Sequence, residues 1–505
     1  MSAIGPQYIR NVYSSWTCYA IRVAITFLFV PYITSQWGDS RYGLWVILFQ
    51  TINYFSLLDL GLTSSIIRFV SKYLSQRDFG RVSRVIATSG VLYLIVGSLA
   101  AIGLFIFVEF FFHIFKIADP NLLAEGKTAL QILAVYLAFN FYFLPYGGSL
   151  VAFQRYDMHN LISIGEEIVR VGLMIWLLSA GYGLVALALV IVGTTIARNL
   201  IAFWWLRRAF PEIKFGWREA DRETGRMLFG YSWISFAIVI CWLVIFNTDS
   251  FLLGVLSGTA AAGVYHPGAQ LFLHLRNLIN GAATPLAPAV SHIESTSDLD
   301  RVRRLYFRGS AYIAFASFTI STLVILFAQP FVDLWLPEAF AESASVMIVL
   351  ACGSALFLPQ IVGNSVLFGI EQHRYLLYSL ICEAAAKIVL AIVLIPRSGL
   401  LGMALATIIP QIAMYSTLYP ALLASVLGTT HWKILWNIFR PGGMALAAAA
   451  PVGILLTWLW PVDGWLSLIA EVAIVVLIAA VVAYRFLLAP DDRNKLIDGL
   501  PFIHQ

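Results

Sequence analysis

The stretch from Arg41 to Arg84 is near-continuous apolar sequence for about 28 residues, long enough to cross a bilayer as a helix. Only Gln50, Asn53 and Asp59 interrupt it, and it ends in a basic turn. The same stretch returns at an offset of 220: Gly43, Gln50, Ser71, Asp78, Arg81, Val82 and Arg84 match Gly263, Gln270, Ser291, Asp298, Arg301, Val302 and Arg304 without a gap. One such match would be chance, whereas a series at constant offset indicates an internal repeat. A chain built this way must cross a membrane, and must do so twice over with the same local plan.

Composition agrees. Apolar residues make up 60% of the 505 and charged residues 12%, more apolar surface than a soluble domain can bury. The excess of 32 Lys+Arg over 27 Asp+Glu is too small to suggest a nucleic-acid partner. Cys18, Cys241, Cys352 and Cys382 all lie in apolar runs and read as small buried hydrophobes, so no disulfide, metal site or thiol chemistry is expected. The N-terminus lacks a short apolar region followed by a small-residue cleavage site, so the first helix reads as an uncleaved anchor.

Apolar runs set against turn signals predict an all-α polytopic membrane protein of about fourteen spans. They fall near 11–35, 43–70, 85–112, 128–153, 160–180, 184–206, 228–256, 263–290, 308–332, 343–369, 375–395, 401–424, 441–460 and 465–488. With a cytoplasmic N-terminus, the inner loops hold Lys72, Arg77, Arg81, Arg84, Arg155, the cluster from Arg207 to Arg226, Arg301 to Arg308, Arg374, Lys433 and Arg440. The outer loops hold only Arg41, Lys116, Lys127 and Arg397, an asymmetry that puts both termini in the cytoplasm. The inner segment RRAFPEIKFGWREADRETGR, with Pro211 and Gly216, reads as the linker between halves.

The repeat extends further. Phe143-Leu144-Pro145 recurs as Phe357-Leu358-Pro359, Gln154-Arg155 as Gln372-His373-Arg374, and Gly181 with Ala186-Leu187-Ala188 as Gly399 with Ala404-Leu405-Ala406. An even number of spans per copy gives halves of the same orientation, related by an axis along the membrane normal. The expected division is an N-lobe over 1–206, a linker over 207–226, a C-lobe over 227–425, and two further helices with a tail over 426–505.

Each charge at mid-membrane costs roughly 2.5–3.5 kcal/mol and needs a partner or a wet cavity. On the eighth span His266, Gln270, His274, Asn277 and Thr284 form one polar stripe at helical spacing, with Asn280 at its border and Arg276 beyond. That stripe lines water between the halves or hydrogen-bonds another helix. The second span carries Gln50, Asn53 and Asp59. Arg22, with no acid at i±3 or i±4, needs a carboxylate on another helix, with Asp59 the candidate, or an anionic ligand such as phosphate. Glu166–Arg170 and Glu383–Lys387 are i,i+4 pairs that correspond in the repeat and read as intrahelical salt bridges; Asp59, Glu166, Asp249 and Glu383 alternatively serve as ion-coupling groups. Arg198, Glu371 and Glu471 lie nearer span ends, where snorkelling or solvation suffices. No P-loop, H-E-x-x-H or nucleophile elbow is present, and no outer loop is large enough for a polymerase site, so no enzyme, cofactor or metal is expected.

The run Asp39-Ser40-Arg41-Tyr42-Gly43-Leu44-Trp45, then Leu57-Leu58-Asp59-Leu60-Gly61-Leu62 and Arg68-Phe69-Val70, resembles the polysaccharide-transporter branch of the multidrug/oligosaccharidyl-lipid/polysaccharide exporter superfamily. Asp249-Ser250-Phe251-Leu252-Leu253-Gly254 with Ala262-Gly263-Val264-Tyr265 is similar to that family's seventh-to-eighth helix junction. The resemblance implies two six-helix lobes around a central cavity, alternating access, and a bacterial inner-membrane flippase. Its substrate would be a polyprenyl-pyrophosphate-linked oligosaccharide (O-antigen, capsule or exopolysaccharide unit) moved from the cytoplasmic to the periplasmic leaflet. The candidate substrate contacts are Arg22, Gln50, Asn53, His266, Gln270, His274, Arg276 and Asn277. The ion-coupling candidates are Asp59, Glu166, Arg170, Asp249, Glu383 and Lys387. Expected partners are the lipid-linked sugar, membrane lipid, H+ or Na+ as coupling ion, and a polysaccharide polymerase. An ion-coupled exporter of drugs or small solutes with the same fold is the alternative.

Overall fold

The computed structural model describes residues 6–488 apart from 60, 116, 118, 154, 215, 230–232, 284–298 and 371. Thr284 of the polar stripe and Glu371 therefore lie outside the described residues. Every regular element among the described residues is helical.

By packing, the chain forms two compact units, one over 1–243 and 247–263, the other over 244–246 and 264–505. The linker expected at 207–226 groups with the first unit.

The first unit begins with α1 (Pro6–Tyr54), followed by a 3-10 turn over Phe55–Asp59 and α2 (Leu62–Ser75). The first two expected spans are fused within α1 and broken at Gly38, whose φ of 67° lies in the left-handed region that favours glycine. Next come α3 (Phe79–Ile114), α4 (Pro120–Ala152), α5 (Tyr156–Ser179) and α6 (Leu184–Ala209). Asp78 caps α3 by accepting from Arg81 N at 2.9 Å, and Asp119 caps α4 from Asn121 N at 2.9 Å with Pro120 just inside. The helix α4 lies at the centre, packed on α3, α6 and α2, and buries Leu130, Leu133, Leu137 and Phe141.

The linker is docked rather than loose. Lys214 N donates to Ser83 Oγ at 2.9 Å and Trp217 Nε1 to Tyr142 Oη at 3.1 Å. The short α7 (Arg222–Phe229) is capped by Asp221, which accepts from Glu223 N and Thr224 N at 2.9 and 3.0 Å and from the Thr224 hydroxyl. Those donors, the Thr224 hydroxyl foremost, hold the Asp221 carboxyl below its ordinary range. The helix α8 (Trp233–Asn247) then bends by 54° into α9 (Asp249–Leu256).

Repeat-related glycines behave alike. Gly181 and Gly399 both have positive φ, 83° and 52°, and so do Gly38 and Gly258, at 67° and 100°. Gly43 and Gly263, also equivalent in the repeat, are neighbours: a Cβ on Gly263 would meet Gly43 N at 3.0 Å and Gly43 Cα at 3.1 Å. Helix α10 (Thr259–Ala283) can only start against α1 because both positions lack side chains.

The second unit contains most of α10, then α11 (Leu299–Trp335), α12 (Ser343–Phe357), α13 (Ile361–Gly369) and α14 (His373–Ser416). Helices α15 (Leu418–Leu427), α16 (His431–Leu459) and α17 (Trp465–Val482) follow. Expected spans eleven and twelve are fused in α14 across Gly399. The last two spans are packed on the repeat: α16 and α17 enclose Phe315, Phe327, Ala445, Ala449, Leu468 and Val475 against α11. Gly442 and Gly453 permit this, since a Cβ at either would strike Phe318 or Leu326.

Among the described residues nine helices are long and apolar enough to cross a membrane, or ten if the bent α8–α9 pair is one span. The expected count of fourteen is not recovered by that criterion. Fusion at Gly38 and Gly399 merges neighbouring spans, and the charges of α5 and the polar stripe of α10 lower their apolar character. Cys18 and Cys241 are buried as expected, but Cys352 and Cys382 are exposed. In a helix that faces lipid, an apolar neighbourhood in sequence does not imply burial.

Candidate functional site

In the first unit the polar centre is Glu166 on α5, whose side chain is almost wholly buried. Arg170 Nη1 donates to its Oε1 at 3.1 Å, one helical turn away, as the spacing predicted. A second arginine reaches it from α6: Arg198 Nη1 lies 3.2 Å from Glu166 Oε2 and its Nη2 3.2 Å from Asn140 Oδ1. Thr195 Oγ1 adds a hydrogen bond at 3.2 Å, and Glu167 pairs with Arg170 at 2.7 Å. The expectation that Arg198 snorkels is thus corrected, because its guanidinium turns inward to a carboxylate that would otherwise be buried with one partner. Two carboxylates face two guanidiniums, and the cluster is neutral.

Arg198 also lines a cavity of about 230 Å³ with Asn199, His159, Ser163 and Thr63. Asn199 Nδ2 is buried there without an acceptor. His159 has Arg198 and Arg22 as charged neighbours. Arg22 itself is exposed on α1, and among the described residues no carboxylate lies within ion-pair distance of it. The expected partner, Asp59, is engaged elsewhere: its Oδ1 accepts from Thr63 N at 3.1 Å, Thr63 Oγ1 at 2.7 Å and the Tyr93 hydroxyl. Asp59 therefore ties the 3-10 turn to α2 and α3.

Of the remaining first-unit candidates, Gln50 is half-buried with its Oε1 lacking a donor, and Asn53 is exposed. Asp249 is buried in the first turn of α9, where a helix N-terminus favours negative charge, beside the Tyr54 hydroxyl.

In the second unit His266, Gln270, His274 and Asn277 lie within α10 at intervals of about one helical turn and so share one face. The opposite face, with Gly268, Leu271, Phe272 and Leu275, closes an apolar cavity of about 270 Å³ against α11, α12 and α17.

Arg276 leaves the stripe. Its guanidinium carbon stacks 3.8 Å from the centre of the Phe246 ring, and its Nε is buried without an acceptor. Its electrostatic neighbours are Glu383 and Tyr415, both on α14. Glu383 is about 1% exposed, with the Tyr415 hydroxyl and the Gln411 amide as its polar neighbours beside Lys387. The expected Glu383–Lys387 salt bridge is replaced: fully buried Lys387 donates instead to the Ile245 carbonyl. The repeat-related pairs have diverged because the first unit supplies Arg198 from α6, and the position 218 residues on is Ser416. Arg276 and Lys387 are accordingly both electrostatic neighbours of Glu383.

The structure brings Arg276, Glu383 and Lys387 together in one unit, and Glu166 with Arg170 in the other. Sequence reasoning missed Arg198, Asn199 and His159. The signal available was a polar residue on each of three successive spans, Asn140 and Arg198 in the interior of α4 and α6 and His159 in the first turn of α5. It also placed Glu471 among solvated groups, whereas Glu471 is fully buried in α17 with both oxygens unbonded. Its place on the Leu468–Val475 face that packs on α11 is the cause.

Residues 8–294 match the sequence profile of the family described as polysaccharide biosynthesis protein. The chain is 22% identical over 502 residues to the uncharacterized membrane protein EpsK of Bacillus subtilis (strain 168), covering 97% of each. Among solved structures it is similar to the lipid II flippase MurJ in an inward closed conformation, with a TM-score of 0.74 and 14% identity over 95% of this chain and 98% of that one. An inward-facing multidrug resistance MATE family transporter of the MOP superfamily gives a TM-score of 0.64 and 15% identity over 84% and 98%. At those identities the two structures establish the fold.

Proposed function

The chain belongs to the polysaccharide biosynthesis protein family, and on that premise we propose that it is a flippase for a polyprenyl-pyrophosphate-linked oligosaccharide. It would carry the sugar head from the cytoplasmic to the periplasmic leaflet by alternating access. The observation that carries this reading is Arg276, a buried guanidinium stacked on Phe246 with its Nε short of an acceptor. A buried cation without full compensation is costly unless an anion completes it, and a guanidinium matches phosphate oxygens in bidentate fashion. Arg22, exposed within electrostatic reach of His159, is the second phosphate contact in this reading.

The remaining residues take matching roles. The α10 stripe of His266, Gln270, His274 and Asn277, with Gln50 and Asn53, offers donors and acceptors to the sugar. The apolar opposite face of α10 and its cavity suit the prenyl chain. The lipid II flippase MurJ has a similar fold. With no nucleotide motif in the sequence, transport draws on an ion gradient, the membrane potential or substrate supply. Glu383 is the group assigned to coupling, since it releases Arg276 to the incoming phosphate when it takes up a proton or a cation.

In cells lacking the chromosomal copy, Arg276→Gln is expected to reduce surface polysaccharide at least tenfold while the protein remains in the membrane at its normal level. Arg276→Lys restores only part, because an ammonium lacks the bidentate fork. Normal polysaccharide in Arg276→Gln cells would contradict the assignment.

A further inference from the structure

The helix α16 carries a second cationic feature, far from Arg276 in sequence and outside the repeat. Trp432 and Trp436 are 77% and 67% exposed near its start, and Trp458 is 78% exposed near its end. The 24 residues between the middle of the first pair and Trp458 rise about 36 Å at 1.5 Å each. That distance matches the hydrocarbon core plus part of each headgroup layer, and tryptophans concentrate at those two levels. The Trp432–Trp436 end also carries Lys433 and Arg440, so it is the cytoplasmic level by the positive-inside bias.

At that level there is a cavity of about 570 Å³, within the size range of ligand sites. Trp432, Lys433, Trp436 and Arg440 of α16 line it, with Phe307 of α11 and Phe486 of the final helical turn. No carboxylate is among its lining residues. Among the described residues neither Lys433 nor Arg440 has an acidic side chain within ion-pair distance. Nearby Arg303, in contrast, is paired with Asp300 at 2.5 Å. The cavity is fixed in place: Asn437 Nδ2 donates to Phe307 O and to Ser310 Oγ, each at 2.9 Å, and so locks α16 to α11 at its floor.

We propose that this cavity binds the headgroup of an anionic glycerophospholipid from the cytoplasmic leaflet. Lys433 and Arg440 hold the phosphate, while Trp432 and Trp436 flank the glycerol region at the interface. Charge selects the occupant: two cations with no acidic partner among the described residues attract anionic over zwitterionic lipid. The aromatic and aliphatic lower wall receives the start of the acyl chains. The site sits on the helix pair outside the duplication, so lipid there acts on how α16 and α17 are held to α11, apart from the substrate contacts.

The test uses the full-length protein purified in detergent, titrated with dioctanoyl-phosphatidylglycerol or dioctanoyl-phosphatidylcholine and read by native mass spectrometry. The wild type is expected to prefer the anionic lipid. In Lys433→Gln/Arg440→Gln that preference falls about thirtyfold, the value two surface cations supply together, while phosphatidylcholine binding is unchanged. Lys433→Arg/Arg440→Lys keeps the preference. Both positions changed are on the protein surface, and an unaltered melting temperature confirms folding. Equal binding of the two lipids by the wild type, or an anionic preference that survives in the Gln variant, would overturn the proposal. A polyprenyl pyrophosphate that displaces phosphatidylglycerol at equal concentration would also overturn it, since the cavity would then belong to the transported substrate.

Discussion

At Glu166 two guanidiniums from different helices serve one buried carboxylate, and their removal is not equivalent to losing surface ion pairs. Replacing Arg198 by Gln leaves Glu166 with a single cationic partner in a low-dielectric setting, which is expected to destabilise the protein by about 2–3 kcal/mol. Combining Arg198→Gln with Glu166→Gln should recover most of that loss, because the uncompensated charge goes as well. Thermal unfolding of the two single variants and the double variant checks this. Strict additivity would show that the two groups do not interact. The Glu166–Arg170 bond was legible in sequence because i,i+4 spacing fixes it on any helix. The Arg198 bond was not, since it joins residues 32 apart on separate helices. The same limit explains Glu383–Lys387, where the spacing was right but a backbone carbonyl at Ile245 took the ammonium. Asp59 was legible as a polar group in an apolar run, yet its role in fixing Thr63 and Tyr93 depends on a turn that the apolar pattern does not reveal.

Among elements, the contact between α1 and α10 depends on absent side chains. Gly43 and Gly263 are related by the repeat and meet backbone to backbone, so the sequence match marked both positions without giving their reason. Gly263→Leu is expected to force the two helices apart, with an overpacking cost of about 1–3 kcal/mol or more. Gly268 is crowded in the same way, since a Cβ there would meet the Ser343 carbonyl oxygen at 2.8 Å. A melting temperature for Gly263→Leu equal to that of the wild type would show that the helices do not approach as described. Helix ends were legible where a side chain caps them, as at Asp78 and Asp119. The breaks at Gly38 and Gly399 were read as loops between spans, yet helical hydrogen bonding closes up on either side of a single left-handed residue.

For the whole molecule, the all-helical membrane fold and the family followed from apolar run length, the repeat and the motifs around Asp59 and Asp249. Length and hydropathy alone recover nine or ten spans among the described residues, because neighbouring spans are fused at Gly38 and Gly399 and because α5 and α10 carry charged and polar groups. The charges that obscure α5 as a span, Glu166, Glu167 and Arg170, are the ones that build a polar centre there. Purified protein in liposomes carrying a fluorescent lipid-linked oligosaccharide tests the account directly, with label accessible to a membrane-impermeant quencher recorded over time. The account predicts that wild-type protein moves the label between leaflets and that Arg276→Gln protein, equally inserted, does so at least tenfold more slowly. Translocation by both proteins at the same rate, or by neither, would contradict it.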